Sequence, residues 1–114
     1  MRAARDRQAM QDMLDHARRV LLLVGNRTRC DMEADWVAHA ALIRQLEVIG
    51  EAAARVTDAT RTALPNLPWR SIVGMRNRLI HGYDVIDPEA VWRTAIEDIP
   101  ALIGELERAL DEVR

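Results

Sequence analysis

The sequence predicts an all-α fold, an antiparallel helical bundle of four main helices in one domain spanning residues 1–114. Two observations carry the prediction. Apolar residues recur at steps of three and four through most of the chain, and nowhere do they alternate with the two-residue period of a strand. Glycines and prolines fall between these periodic segments, where they end and start helices. A chain of 114 residues is long enough to bury one hydrophobic core.

The first helix is expected over about Arg5 to Val24. Met10, Met13, Leu14, Ala17, Leu21 and Val24 form its apolar stripe, with the methionines as core filler, and Gly25-Asn26 ends it. A second helix is expected from about Met32 to Val56, burying Trp36, Ala40, Ile43, Leu46, Ile49, Ala53 and Val56. Gly50 sits inside this helix, where glycine costs roughly 1 kcal/mol against alanine, so a close approach by another backbone is expected there. Arg44, Glu47 and Glu51 share another face and read as a solvated ion-pair stripe.

The segment Ala63-Leu-Pro-Asn-Leu-Pro-Trp69 breaks the periodicity, and Pro68 suits the first position of a third helix. That helix buries Ile72, Met75 and Leu79 and ends at His81-Gly82, with Gly82 as a left-handed cap. Asp87-Pro88 opens the last helix as N-cap and first residue. Its stripe runs through Trp92, Ala95, Ile99, Leu102, Leu106, Leu110 and Val113. Pro100 removes the hydrogen bond to the Ile96 carbonyl, so a kink is expected rather than a stop.

Sixteen basic against eighteen acidic residues leave a formal charge of -2, which argues against nonspecific coating of nucleic acid but not against a local basic site. All the basic residues are arginine, a pattern that codon bias or a use for planar phosphate-binding forks would each produce. The single Cys30 leaves no internal disulfide and suits a reducing compartment; a cytoplasmic location is expected. There is no apolar run of about 20 residues, so no membrane contact is expected.

His16, His39 and His81 fall on three different expected helices, with neither His-x-x-x-His nor Cys-x-x-Cys spacing, so no metal centre or other cofactor is expected. Gly-rich phosphate loops and nucleophile elbows are absent as well. What remains is the end of the third helix, Arg76-Asn-Arg-Leu-Ile-His-Gly-Tyr83. Asn77 lies one turn from His81, and Arg76 is offset by about 140° at roughly 100° per residue. Arg76 and His81 thus flank one polar edge, with Arg78 adjacent.

These residue types suit RNA cleavage without a metal. Histidine titrates near neutral pH and can take a 2′-hydroxyl proton or return one to the leaving 5′-oxygen. A guanidinium fork can stabilise the charge of the phosphorane. One chain offers only one such histidine, so a site shared between two copies is expected. A purely structural reading uses the same residues: a histidine favoured at the helix C-terminus, a glycine cap, a tyrosine packed on the last turn and a solvated basic face.

The motif Arg-x-x-x-x-His-x-Tyr, matched by Arg76, His81 and Tyr83, resembles the signature of HepT-type toxins of the HEPN superfamily. Leu46-Glu-Val-Ile-Gly-Glu-Ala52, Leu67-Pro-Trp-Arg-Ser-Ile-Val-Gly-Met75 and Asp87-Pro-Glu-Ala-Val-Trp92 are similar to further segments of that family. The resemblance spans roughly Asp35 to Leu110 and implies a HEPN-type bundle acting as a homodimeric, metal-independent ribonuclease. Arg76 and His81 would be catalytic, Asn77 and Arg78 supporting, RNA the substrate, and DNA no partner. It also implies a minimal nucleotidyltransferase antitoxin that silences the toxin by attaching AMP to Tyr83 (AMPylation). The alternative is a non-catalytic helical module that binds such a nucleotidyltransferase.

Overall fold

A computed structural model describes residues 2–81 and 86–112, and among them only helices, turns and loops occur. The elements are α1 (Arg2–Val24), α2 (Arg29–Ala34), α3 (Trp36–Ala54), α4 (Asp58–Ala63), α5 (Trp69–His81), α6 (Pro88–Arg93), a π-helical turn (Thr94–Asp98) and α7 (Ile99–Glu112). The π turn joins α6 to α7 without a break, so four long elements dominate: α1, α3, α5 and α6–α7. None of the described helices is long and apolar enough to cross a membrane.

Helix α3 lies between α1 and α5, and α7 packs on α1. Three cross-links show α1 and α3 running antiparallel: Asp6 with Thr57, Asp12 with Arg55 and His16 with Gln45. The core between these helices is built largely from the expected stripes, with Leu42 of α3 added to them. Met10, Met13, Leu14 and Ala17 of α1 meet Leu42, Leu46, Ile49 and Ala53 of α3, and Ala95, Ile99, Leu102, Leu106 and Leu110 complete it. Val113, the expected end of the last stripe, lies outside the described residues. Gly25 ends α1 at φ 47°, the left-handed conformation that glycine reaches without a Cβ penalty.

Some expectations give way. The helix expected from Met32 to Val56 is two helices, broken at Asp35. Asp35 leaves helical geometry, and its carboxylate accepts a hydrogen bond from the Ala38 N–H, starting α3 afresh. The new start turns the first part of α3 away from the expected register. Ala38 and Leu42 are buried, Ala40 is exposed, and Trp36 is 78% exposed. On α1, Val20 takes the buried position instead of Leu21, which is 42% exposed.

Pro68 is the N-cap of α5 rather than its first residue: its carbonyl accepts from the Ile72 N–H, and the helix begins at Trp69. At the start of α6 the Asp87 N-cap and Pro88 stand as expected, with the Asp87 carboxylate accepting from the Glu89 N–H. The disturbance expected from Pro100 takes the form of the π turn just before it, where the Ile99 N–H reaches back five residues to the Thr94 carbonyl. Widening one turn in this way gives room for the proline ring, which would crowd the Ile96 carbonyl in a regular helix.

A buried carboxylate ties α4 to α1. Asp6 is 2% exposed, and one of its oxygens accepts from the Thr57 N–H at 3.1 Å. The other accepts from the Thr57 and Thr60 hydroxyls. Hydrogen bonds to a charged group are worth about 1.5–3 kcal/mol, and donors left unpaired cost about as much. Asp6→Ala is therefore expected to lower unfolding stability by about 2 kcal/mol, read as a lower urea midpoint at an unchanged slope. A loss below about 0.5 kcal/mol would mean that water replaces the carboxylate at no cost.

Candidate active site along helix α5

Helix α5 is held at its start by Trp69. The indole Nε1 donates to the Leu64 carbonyl at 3.0 Å, and the Arg61 guanidinium stacks 5.9 Å above the ring centroid. Ile72 and Leu79 are buried and Met75 is half-buried, as the expected stripe requires. Arg70, Asn77 and Arg78 are exposed.

Helix α5 lies close against α3 at Gly50. A Cβ built there would sit 2.1 Å from the Arg76 Cβ, 2.8 Å from its Cγ and 3.1 Å from the Ile72 carbonyl oxygen. The close approach expected at Gly50 therefore exists, and the residue against it is Arg76. Packing at this depth half-buries Arg76 and leaves its Nε buried without a hydrogen-bond partner. One terminal nitrogen donates to the Asn77 Oδ1 at 2.9 Å. No carboxylate pairs with Arg76 among the described residues. A cation so placed has its charge free for an incoming anion, and partial burial weakens the screening that water would give.

Arg78 points elsewhere. Two residues on an α-helix differ by about 200°, so Arg76 and Arg78 leave α5 on nearly opposite sides. The Arg78 guanidinium lies back near Gly74, one turn earlier. It borders two clefts between α5 and the α6–α7 helix, of about 540 Å³ and about 480 Å³. Asn77, Leu79 and Val91 line the first, Ser71, Asp98 and Leu102 the second, and Met75, Arg78 and Thr94 line both. Arg78 makes no hydrogen bond or ion pair with a described residue.

The structure thus joins Arg76 to Asn77 and sets Arg78 apart from Arg76, on a cleft that Asn77 also borders. His81 is the last residue of α5, five positions beyond Arg76, or about 7.5 Å along the axis at roughly 1.5 Å per residue. Its side chain, the expected Gly82 cap and Tyr83 lie outside the described residues. The other two histidines are on different helices. The His16 Nδ1 lies 2.6 Å from the Gln45 Oε1, and the His39 Nε2 is buried without a partner. Among the described residues no cluster of His, Cys, Asp or Glu could hold a metal ion. Arg44 bridges Glu47 and Glu51 at 3.2 Å each, the solvated stripe read from the sequence.

Comparison with known proteins gives this geometry a context. Residues 13–109 match the family model described as ribonuclease HepT-like. A Thermococcus cleftensis protein named "Probable ribonuclease HepT" is 35% identical over 106 residues, covering 90% of this chain and 96% of its own length. A Methanocaldococcus jannaschii protein named as a candidate RNase is 45% identical over 67 residues, 59% of this chain and 62% of its own. Another candidate RNase, from Caldanaerobacter subterraneus, is 36% identical over 83 residues, 73% of this chain and 70% of its own. No solved structure matches the chain.

Proposed function

Because the chain belongs to the ribonuclease HepT-like family, we propose that it is a metal-independent endoribonuclease, the toxin of a toxin–antitoxin pair, acting through Arg76 and His81 of a homodimer. The observation that carries this reading is Arg76: a guanidinium with a buried stem, a neutral acceptor on one nitrogen and no described carboxylate to neutralise it. Such a group is set to receive a phosphate.

In the reaction the ribose 2′-oxygen attacks the neighbouring phosphorus and the 5′-oxygen leaves. A base accepts the 2′-hydroxyl proton, and an acid returns one to the 5′-oxygen. His81 from each of two protomers supplies these two roles, since imidazole titrates near neutral pH and serves in either. The Arg76 fork stabilises the charge gathered on the phosphorane, more strongly than on the ground-state phosphate, and this difference accelerates the step. Asn77 holds the guanidinium from one side. Arg78, on the opposite side of α5, supplies a second cation to phosphates farther along the RNA.

Tyr83, two residues beyond His81, is the switch. A nucleotidyltransferase antitoxin that attaches AMP to its hydroxyl adds negative charge and bulk beside the arginine, which repels and blocks RNA. Incubating the purified, partner-free protein with RNA in EDTA tests the reading. Cleavage is expected to continue and to leave 2′,3′-cyclic phosphate or 3′-phosphate together with 5′-hydroxyl ends. Cleavage that stops in EDTA and returns with a divalent metal would sink the metal-independent mechanism. Complete inactivity, with no growth arrest on expression, would favour a non-catalytic module that binds the nucleotidyltransferase.

A further inference from the structure

We infer that Gly50 is the positioning residue for Arg76: a missing side chain on α3 sets how deeply the root of the arginine sinks between the helices, and so where its guanidinium points. The inference rests on the catalytic reading of Arg76 only for its effect on activity.

The contact has an unusual form. The atoms nearest a Cβ at position 50 are the Cβ and Cγ of Arg76, at 2.1 and 2.8 Å, followed by the Ile72 carbonyl oxygen at 3.1 Å. A Cβ is fixed to the backbone, so no rotamer of Arg76 relieves the first contact. An alanine falls about 1.3 Å short of ordinary van der Waals distance, and α5 itself has to move. Other helical glycines behave differently. At Gly74 and Gly104 an added Cβ meets only the tip of an arginine, at 3.6 and 3.8 Å.

The depth of seating has a visible consequence. It removes the Arg76 Nε from solvent and directs a terminal nitrogen to the Asn77 Oδ1. Gly50 and Asn77 thus hold the arginine at its root and at its tip. A shift of about 1 Å in a reacting group can cost about a hundredfold in rate. Glycine at this position therefore serves catalytic geometry in addition to helix packing.

The test uses Gly50→Ala in the full chain, with Gly104→Ala as a control for helix propensity. Two quantities are read: the rate of RNA cleavage and the NMR signal of the Arg76 Nε–H, assigned by its loss in Arg76→Lys. Gly50→Ala is expected to shift that signal, speed its exchange with solvent and lower kcat about a hundredfold with little change in KM. Gly104→Ala should alter neither. An unshifted, still protected Nε–H in Gly50→Ala would overturn the positioning role whatever the activity. A shifted signal with unchanged kcat would uphold positioning and instead remove Arg76 from catalysis. Should Gly50→Ala fail to fold, Gly50→Ala/Arg76→Gly decides, because it removes the clashing Cβ from the other helix. Recovered folding supports the contact, and a double variant that also fails to fold overturns it.

Discussion

Arg76→Ala is expected to slow RNA cleavage by about 10²–10³-fold, the usual cost of removing one preorganised group that stabilises a developing oxyanion. His81→Ala is expected to lose at least as much, because the proposed mechanism gives both proton-transfer roles of a dimer to that residue. The arginine effect should appear in kcat more than in KM, since in the proposed mechanism the guanidinium meets its full charge only in the transition state. Arg76→Lys should recover a fraction of the activity. An ammonium restores the charge, but as a point rather than a fork, and it does not reach both Asn77 and a phosphate in the same way.

Stability should move differently. Arg76 buries an Nε–H that makes no hydrogen bond, an arrangement that costs folding free energy. Truncation at Cβ removes this cost and keeps the contact with Gly50, so the Arg76→Ala melting temperature should equal or exceed that of the parent. Single-turnover cleavage under saturating protein, alongside thermal unfolding, reads both quantities. Cleavage by Arg76→Ala within threefold of the parent would exclude the arginine from the reaction.

Leu46→Ala is the substitution expected to cost the most stability. Leu46 is wholly buried in α3, the helix shared by α1 and α5, and its other side borders the cleft beside Asn77 and Arg78. Truncating a buried leucine costs about 2–5 kcal/mol, the sum of lost transfer energy and the cavity left behind. For a chain of this size such a loss lowers Tm on the order of 10 °C or more. Total stability of a small domain is only about 5–15 kcal/mol, so this one change removes a large share of it. Trp36→Ala, by contrast, removes a larger side chain that is already 78% exposed and should leave the melting temperature almost unaltered. If Leu46→Ala melted within about 2 °C of the parent, α3 would not be the centre of the core.

The contrast between Leu46 and Trp36 also shows where periodicity is informative. Leu46, Ile49 and Ala53 lie where α3 is clamped from both sides, and their spacing alone placed them in the core. Trp36 shares the same apparent stripe but follows Asp35, whose carboxylate caps a new helix. An aspartate inside a helix and one that starts a helix look alike in a single sequence, because both are short polar residues between apolar ones. The exposure of Leu21 has a similar origin. It follows a helical step correctly, but Val20, one position earlier, is the residue that is buried.

The stretch from Arg76 to Tyr83 was singled out in the sequence by its residue types, its spacing and its resemblance to the HepT signature, which are properties of the chain and need no tertiary structure. Local chemistry likewise determined the Gly25 end of α1, the Asp87-Pro88 start of α6 and the need for a close approach at Gly50. The partner at Gly50 was decided only when α5 lay down on α3, since helical periodicity defines faces and is silent about which residue of another helix meets them. Packing also gave Arg76 and Arg78 different surroundings, sinking one arginine into the interface and leaving the other beside the clefts. Charge and spacing belong to the sequence; which charge is held still, and which is left free, is settled by burial.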